Sequence, residues 1–138
     1  MLNFRSAEQK DYNEFNEMYK KAQYLGCSVT CKQDFKKDKY DEMVGGNIII
    51  TEKEDDKYFG YAVLYGIDED TCKIGEMYVK EQGKGYGKEL FAYVREAIKE
   101  SGFSRIILMS FSIETDRVWE KLGFESVNFT DEYEMILD

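Results

Sequence analysis

EQGKGYGKEL (residues 81–90) holds three glycines at alternating positions, Gly83, Gly85 and Gly87. The segment before it, TCKIGEMYVK (71–80), has the character of a β-strand, and the segment after it carries apolar residues at helical spacing. The first turn of a helix has backbone N–H groups without intrahelical acceptors, together with the positive end of the helix dipole. A glycine-rich loop between a strand and a helix therefore predicts a site for a phosphate or pyrophosphate.

Two phosphate-binding patterns do not fit this loop. A Walker loop requires GxxxxGK followed by Ser or Thr, but Glu89 follows Gly87 and Lys88 here. A dinucleotide fingerprint requires GxGxxG after the first strand, but the spacing here is GxGxG and earlier strands precede it. A glycine-rich turn with solvated lysines remains as an alternative interpretation.

Outward from the loop, the chain predicts the element order β-α-(α)-β-β-β-α-β-α-β-β, an α/β domain around one mixed sheet. The predicted strands are 2–7, 47–53, 57–66, 71–80 and 104–111, followed by a closing hairpin of FESV and EYEMIL. The predicted helices are 10–23, the helix from the loop to Gly102, 114–122, and a short one within KQDFKKDKYDEM. Segment 104–111 is the most apolar strand, so we expect it at the centre of the sheet.

The 138 residues predict a single domain, 1–138, and the net charge is −9. A chain this acidic is not expected to bind nucleic acid or an anionic membrane, since both require a basic face. Its charge favours cationic partners such as amines, although excess acid often serves solubility alone. The sequence contains no histidine, which excludes a Ser-His-Asp triad and the common zinc sites.

The three cysteines, Cys27, Cys31 and Cys72, are interpreted as reduced thiols because they are odd in number and spread along the chain. Cys27 and Cys31 without further ligands make a poor metal site, so no metal is expected. The N-terminus lacks the form of a signal peptide, and no segment reaches the roughly 20 apolar residues that span a bilayer. We therefore expect a cytoplasmic protein that does not act at the membrane, as a monomer or homodimer.

IGEMYVKEQGKGYGKELFAYVREAIKESG (74–102) resembles the acyl-CoA-binding core of the GCN5-related N-acetyltransferase (GNAT) superfamily. The family pattern is Gln or Arg, two residues, Gly, one residue, then Gly or Ala, which Gln82, Gly85 and Gly87 match. VWEKLGF (118–124) is similar to the family's second segment, Phe-Tyr-x-Lys-x-Gly-Phe. The resemblance extends over nearly the whole chain and implies a mixed central sheet of six to seven strands flanked by about four helices.

The resemblance implies that acetyl-CoA is the co-substrate. Its pantetheine arm would bond to the strand backbone at Met77, Tyr78 and Val79, where a backbone N–H would also polarise the thioester carbonyl. Its pyrophosphate would lie on the loop. The implied binding residues of the loop are Gln82, Gly83, Lys84, Gly85, Tyr86, Gly87 and Lys88.

The implied reaction is transfer of an acetyl group to an amine of a small molecule or protein, which first loses a proton to a base. We expect Glu76 to be that base, although it could equally be a solvent-facing carboxylate. The family's usual acid is a tyrosine, but its position holds Trp119, whose indole cannot act as a general acid. Tyr78 and Tyr133 are other possible donors, and Trp119 is predicted to pack with Thr115, Val118 and Leu122. An alternative function is a non-catalytic acyl-CoA-binding or regulatory module on the same fold; a plain nucleotide-binding domain is a more distant one.

Overall fold

The computed structural model of the chain describes residues 1–26, 33–110 and 112–138. Within these described residues, seven strands and four α-helices follow one another in the predicted order, and a short 3₁₀ turn, Gln9–Asp11, precedes the first helix. The elements are β1 Asn3–Ser6, α1 Tyr12–Gly26, α2 Lys37–Met43, β2 Ile48–Lys53, β3 Asp56–Gly66, β4 Thr71–Val79, α3 Tyr86–Glu100, β5 Arg105–Met109, α4 Ile113–Lys121, β6 Glu125–Ser126 and β7 Glu132–Ile136. The predicted fold class is confirmed, with seven strands in one sheet.

The strand order is β1-β2-β3-β4-β5-β7-β6. β2 pairs antiparallel with β1 and β3, and β7 pairs antiparallel with β5 and β6, whereas β4 and β5 are parallel over Thr71–Lys73 and Arg105–Ile107. β4, rather than the more apolar β5, is the middle strand, so the predicted central position of 104–111 is wrong. Burial along β5 alternates and Met109 is 41% exposed, whereas β3 has six consecutive buried residues, 59–64. Hydrophobicity alone therefore did not identify the middle strand.

The chain divides into two compact units, residues 1–63 with 76–90, and residues 64–75 with 91–138. The core of the first unit is aromatic. Phe15 of α1 lies at its centre, with ring centroids 5.1 Å from Phe35, 5.4 Å from Tyr40 and 5.0 Å from Tyr61. Phe15, Tyr40 and Tyr61 are fully buried, which fixes α1 and α2 against β3 in this unit.

A partly buried ion pair holds the beginning of the first unit together. Arg5 of β1 donates two hydrogen bonds to the Asp11 carboxylate, at 2.6 and 3.0 Å, and one to Glu52 at 3.0 Å. Asp11 also accepts the Glu8 backbone N–H at 2.8 Å and the Tyr58 hydroxyl at 2.8 Å. These contacts join β1, the 3₁₀ turn, β2 and β3.

The second unit contains a smaller aromatic cluster. The Trp119 ring lies 6.1 Å from Phe91 and 5.5 Å from Phe124, centroid to centroid. Trp119 thus packs, as predicted, but its ring contacts come from outside α4. Val118, a predicted neighbour, is 54% exposed, and no residue of α4 is fully buried.

Of the three cysteines, Cys72 is the one that lies among the described residues. Cys72 is a buried free thiol, and the reduced state of the three cysteines stays a prediction. Burial raises the pKa of the Cys72 thiol to about 11, so it stays protonated at neutral pH. Cys27 and Cys31 lie outside the described residues, as does Phe111 at the end of the predicted strand 104–111.

Candidate active site

The sequence-predicted site residues lie on one continuous strand, loop and helix within the first unit. Residues 76–79 form the C-terminal end of strand β4, residues 82–85 form the loop, and residues 86–88 begin α3. Trp119 and Tyr133, the residues considered in connection with an acid, lie in the second unit. The prediction that the loop joins a strand's C-terminal end to a helix N-terminus is confirmed.

At two of the three glycine positions, the backbone conformation of the loop favours glycine. Gly83 has φ +76° and Gly85 has φ +83°, a left-handed conformation that side-chain-bearing residues adopt at a cost. Gly87 lies in the first turn of α3, and its φ is outside that region. A Cβ built on any of the three would have no neighbouring protein atom within 4 Å. The space beside the loop is therefore open, as a cradle for a pyrophosphate requires.

Hydrogen bonds fix both ends of the loop. The Gln82 side-chain Nε2 donates to the Val79 carbonyl at 2.7 Å, which ties the start of the loop to the end of β4. The Glu89 N–H donates to the Gly85 carbonyl at 3.1 Å and opens the hydrogen-bond ladder of α3. The N–H groups of Tyr86, Gly87 and Lys88 precede that bond, so they have no intrahelical carbonyl to bind.

β3 and β4 approach closely beside the site. A Cβ on Gly60 would lie 2.4 Å from the Tyr78 carbonyl oxygen and 3.0 Å from a Val79 side-chain carbon. Only glycine fits there without displacing the β4 backbone. Gly60 therefore supports the position of Tyr78 and Val79, whose contact with a pantetheine arm stays a prediction.

Glu76 is a half-buried carboxylate with few donors. The Tyr61 hydroxyl donates to its Oε1 at a long 3.4 Å. Burial raises the pKa of the Glu76 carboxyl to about 7, against smaller lowering effects from the Tyr61 hydrogen bond and the charge of Lys39. A carboxylate with this pKa can accept a proton near neutral pH and release it again.

Tyr61, the donor to this carboxylate, packs against two other aromatic rings. The Tyr61 ring lies 5.7 Å from the Tyr78 ring and 5.0 Å from Phe15. Burial raises the pKa of Tyr78 and, far more strongly, that of Tyr61, so both phenols stay protonated at neutral pH. Glu76 is thus an ionisable carboxylate that lies against the aromatic core of this unit through the Tyr61 hydroxyl.

The other residues considered in the sequence, at α4 and on β7, make structural contacts. Ser112 caps α4, since its side chain accepts the Thr115 backbone N–H at 3.1 Å. Tyr133 is buried on β7, opposite Leu108 of β5. Trp119 presents no acidic group, as expected from its side chain.

Sequence reasoning missed two residues of this region, Tyr61 and Lys53. Tyr61 stands within an apolar run of β3, and only the fold brings its hydroxyl to Glu76. Lys53 ends β2, and its ammonium lies 5.1 Å from the centre of the Tyr86 ring and 3.4 Å from Glu81. The sequence feature that could have pointed to both residues was a polar side chain within a mostly apolar strand.

Within residues 1–26, 33–110 and 112–138, no group of three or more Cys, Asp or Glu side chains is arranged to hold a metal ion. None of the helices described combines the length and the apolar character needed to cross a bilayer.

The sequence matches the family model described as acetyltransferase (GNAT) family over residues 9–124. No curated protein matches the chain by sequence. Solved structures show the same fold at low identity. An acetyltransferase of the GNAT family from Staphylococcus aureus Mu50 is 16% identical with a TM-score of 0.80, and all of each chain is covered.

Two other structures of this fold were solved with a CoA ligand. A phosphinothricin acetyltransferase from Sinorhizobium meliloti in complex with AcCoA is 16% identical, with a TM-score of 0.77 over 99% of this chain and 88% of that one. An N-acetylglutamate synthase from Neisseria gonorrhoeae, complexed with coenzyme A and N-acetyl-glutamate, is 16% identical with a TM-score of 0.81. The match covers 100% of this chain and 35% of the synthase.

Proposed function

The chain belongs to the acetyltransferase (GNAT) family, and on that basis we propose how its residues carry out acetyl transfer from acetyl-CoA to an amine. The enzyme is an N-acetyltransferase, and acetyl-CoA supplies a thioester carbonyl that a neutral amine can attack. The loop from Gln82 to Lys88 holds the pyrophosphate, and Glu76 removes the proton of the acceptor amine. The observation that carries this proposal is the Glu76 carboxyl, with a pKa of about 7, on the strand that leads into an open glycine loop.

The loop fits the pyrophosphate for three physical reasons. Open space replaces side chains at all three glycines, so an anion can approach the backbone. The first-turn N–H groups of α3 provide donors and the positive end of the helix dipole. Lys84 is 64% exposed along its side chain, so its ammonium can reach an outer phosphate of the ligand.

Glu76 acts first on the acceptor. An amine enters as an ammonium ion, which the Glu76 carboxylate attracts. Glu76 takes one proton from it, and the neutral nitrogen then bonds to the thioester carbonyl carbon as the carbon–sulfur bond breaks. The CoA thiolate leaves without a tyrosine at position 119, and the second proton of the acceptor nitrogen passes to the thiolate through water or the Tyr78 hydroxyl.

The acceptor is a cationic amine in this proposal. The net charge of −9 and the carboxylate at the site both favour a positively charged substrate over an anionic one. A cytoplasmic location, action as a monomer or homodimer, and a single domain over 1–138 stay predictions from composition and length.

The test is thiol release from acetyl-CoA over a panel of amines, with binding measured separately by thermal shift. We expect acetyl-CoA to raise the melting temperature, since a ligand that binds only the folded state stabilises it. We also expect turnover with at least one cationic amine. Binding without turnover on any amine would favour the non-catalytic CoA-binding module, and absence of binding would contradict both functions.

A matched pair of glycine variants tests the loop. Gly85 has φ +83° and Gly102, at the other end of α3, has φ +96°, and neither position has protein atoms around its Cβ. Gly85→Ala and Gly102→Ala therefore impose similar backbone strain, about 1 kcal/mol each. Only Gly85→Ala should weaken acetyl-CoA binding, by about tenfold or more. Equal affinity in the two variants would mean that the pyrophosphate lies elsewhere.

A further inference from the structure

Lys53 ends β2 and lies beside the glycine loop. The pairing register between β2 and β3 shifts between Thr51 and Lys53, so that Lys53 pairs with Asp56. Such irregularities redirect side chains and occur preferentially next to functional sites. Here the irregularity coincides with a lysine whose side chain is only 24% exposed.

One ammonium group contacts both ends of the loop. The Lys53 Nζ lies 3.4 Å from Glu81 Oε2, immediately before the loop, and 5.1 Å from the ring centre of Tyr86, the first residue of α3. It also lies 5.2 Å from the ring centre of Phe59. The Phe59 and Tyr86 rings pack edge to face at 5.1 Å, so the second end of the loop is fixed to β3 as well.

We propose that Lys53 is a positioning residue for the cofactor loop, holding its two ends at the separation that pyrophosphate binding needs. This inference rests on the proposed function, because it assigns Lys53 a role in acetyl-CoA binding at that same loop. Gly83 and Gly85 give the ligand-free loop many accessible backbone conformations. The loop loses these conformations when it binds the ligand. A contact that fixes both ends before the ligand arrives lowers this entropy loss on binding.

Lys84 cannot do the same. It also approaches Glu81, at 3.9 Å, but it belongs to the loop itself, and its side chain is 64% exposed. Exposed ion pairs between near neighbours contribute little, whereas partly desolvated cation–ring contacts contribute more. Burial lowers the pKa of Lys53, but contacts with Tyr86 and Glu81 outweigh that effect and raise it, so the ammonium stays charged.

Lys53→Met tests this inference, with Lys57→Met as control. Methionine keeps the aliphatic length of Lys53 and removes its charge, and Lys57 is an exposed lysine of β3. We expect the KM for acetyl-CoA to rise about 5- to 20-fold in Lys53→Met, with kcat within about twofold of wild type. Lys53→Arg should restore the KM, since guanidinium also pairs with carboxylates and stacks on rings.

Acetyl-pantetheine separates a role in the loop from a general loss of structure. This thioester lacks the pyrophosphate, so its kcat/KM should be the same in wild type, Lys53→Met and Lys57→Met. An equal loss with both thioesters would overturn the inference, because the defect would then not concern the phosphate loop. An unchanged KM for acetyl-CoA in a folded Lys53→Met would overturn it too, without affecting the proposed function.

Tyr86→Leu is a second, independent variant. Leucine is a good helix former at the half-buried start of α3, so the variant should fold even if Lys53→Met does not. We expect a rise in the KM for acetyl-CoA, and a combined effect smaller than the product of the two single effects, because the substitutions remove the Lys53–Tyr86 contact in common. Additive effects in the double variant, or no effect of Tyr86→Leu alone, would overturn the role of Lys53. Failure of the wild-type protein to bind acetyl-CoA would overturn the proposed function itself.

Discussion

Asp11 and Glu76 are two carboxylates of the first compact unit whose surroundings shift their pKa values in opposite directions. Burial alone would raise the pKa of Asp11, but hydrogen bonds from Arg5, the Glu8 backbone and Tyr58 lower it to about 2. Burial raises the pKa of Glu76 to about 7, and only the long hydrogen bond from Tyr61 and the charge of Lys39 oppose it. The hydrogen bonds to Asp11 outweigh the effect of its burial, whereas those to Glu76 do not.

This difference separates a structural carboxylate from one that suits the base of the proposed function. Asp11 is saturated with donors that join β1, the 3₁₀ turn and β3, so it stays ionised and has no capacity left for chemistry. Glu76 keeps lone pairs available beside aromatic rings and exchanges protons near neutral pH. Substituting the two residues should therefore affect different measurements.

Glu76→Gln should have the largest effect, and it should fall on catalysis. We expect kcat/KM to drop about 10²- to 10³-fold at pH 8, since glutamine cannot accept the amine proton. The melting temperature should stay equal or rise, because a partly buried charge is removed. Steady-state kinetics and thermal unfolding check both statements, with the exposed Glu54→Gln as control. Full activity in Glu76→Gln would assign the base to another group.

Asp11→Asn should show the reverse pattern. It leaves the Arg5 guanidinium without its bidentate partner, although Glu52 still pairs with it at 3.0 Å. We expect a loss of about 2–3 kcal/mol in the free energy of unfolding, measured in urea, with kcat retained at temperatures where the variant is folded.

Asp41→Asn is the matched control for that loss. Asp41 pairs with Lys37 one helical turn away on an exposed face of α2, so its substitution should change stability by less than about 0.5 kcal/mol. Equal losses in the two variants would show that the Asp11 network is no stronger than a surface pair.

The free energy of unfolding should first rise and then fall as the pH increases. Asp11 binds its proton more weakly in the folded state, so its contribution appears as pH rises from about 2 to 3.8. Glu76 binds its proton more tightly when folded, so stability should fall as pH rises from 4.5 to about 7, while activity increases as the base ionises. Urea unfolding across pH would check this, and the falling limb should disappear in Glu76→Gln.

The two tyrosines beside these carboxylates should give smaller effects than the carboxylates themselves. Tyr58→Phe removes a 2.8 Å hydrogen bond to Asp11 and should cost about 1 kcal/mol of stability without changing kinetics. Tyr61→Phe removes a 3.4 Å bond to Glu76, so the pKa of Glu76 should rise further, moving the acidic limb of kcat/KM upward by less than about one pH unit. A larger stability loss in Tyr61→Phe than in Tyr58→Phe would contradict this assignment.

Sequence reasoning recovered the element order and the loop because both depend on local patterns. Alternation, helical spacing and glycine placement are readable over ten residues, and β4, the loop and α3 lie where these patterns put them. The predicted boundaries of the helices and strands were less accurate. The helix predicted at 10–23 begins at Tyr12, because a 3₁₀ turn occupies residues 9–11.

Contacts between distant segments could not be predicted in the same way. Tyr61 meets Glu76, and Lys53 meets Tyr86, only through the register of β2 and β3 and the position of β4. The middle strand was also missed, since strand order depends on the pairing of whole segments rather than on hydrophobicity. Glu76 was chosen for its place before the loop, and its pKa became visible only with its surroundings.

The single tryptophan of the chain has a practical consequence for spectroscopy. Trp119 packs on Phe91 and Phe124 within the second unit, so indole fluorescence reports on that unit alone. Far-ultraviolet circular dichroism instead follows helices and strands of both units. If the two signals change at different urea concentrations, the protein unfolds in more than one step, and the fluorescence midpoint belongs to the unit that does not carry the glycine loop.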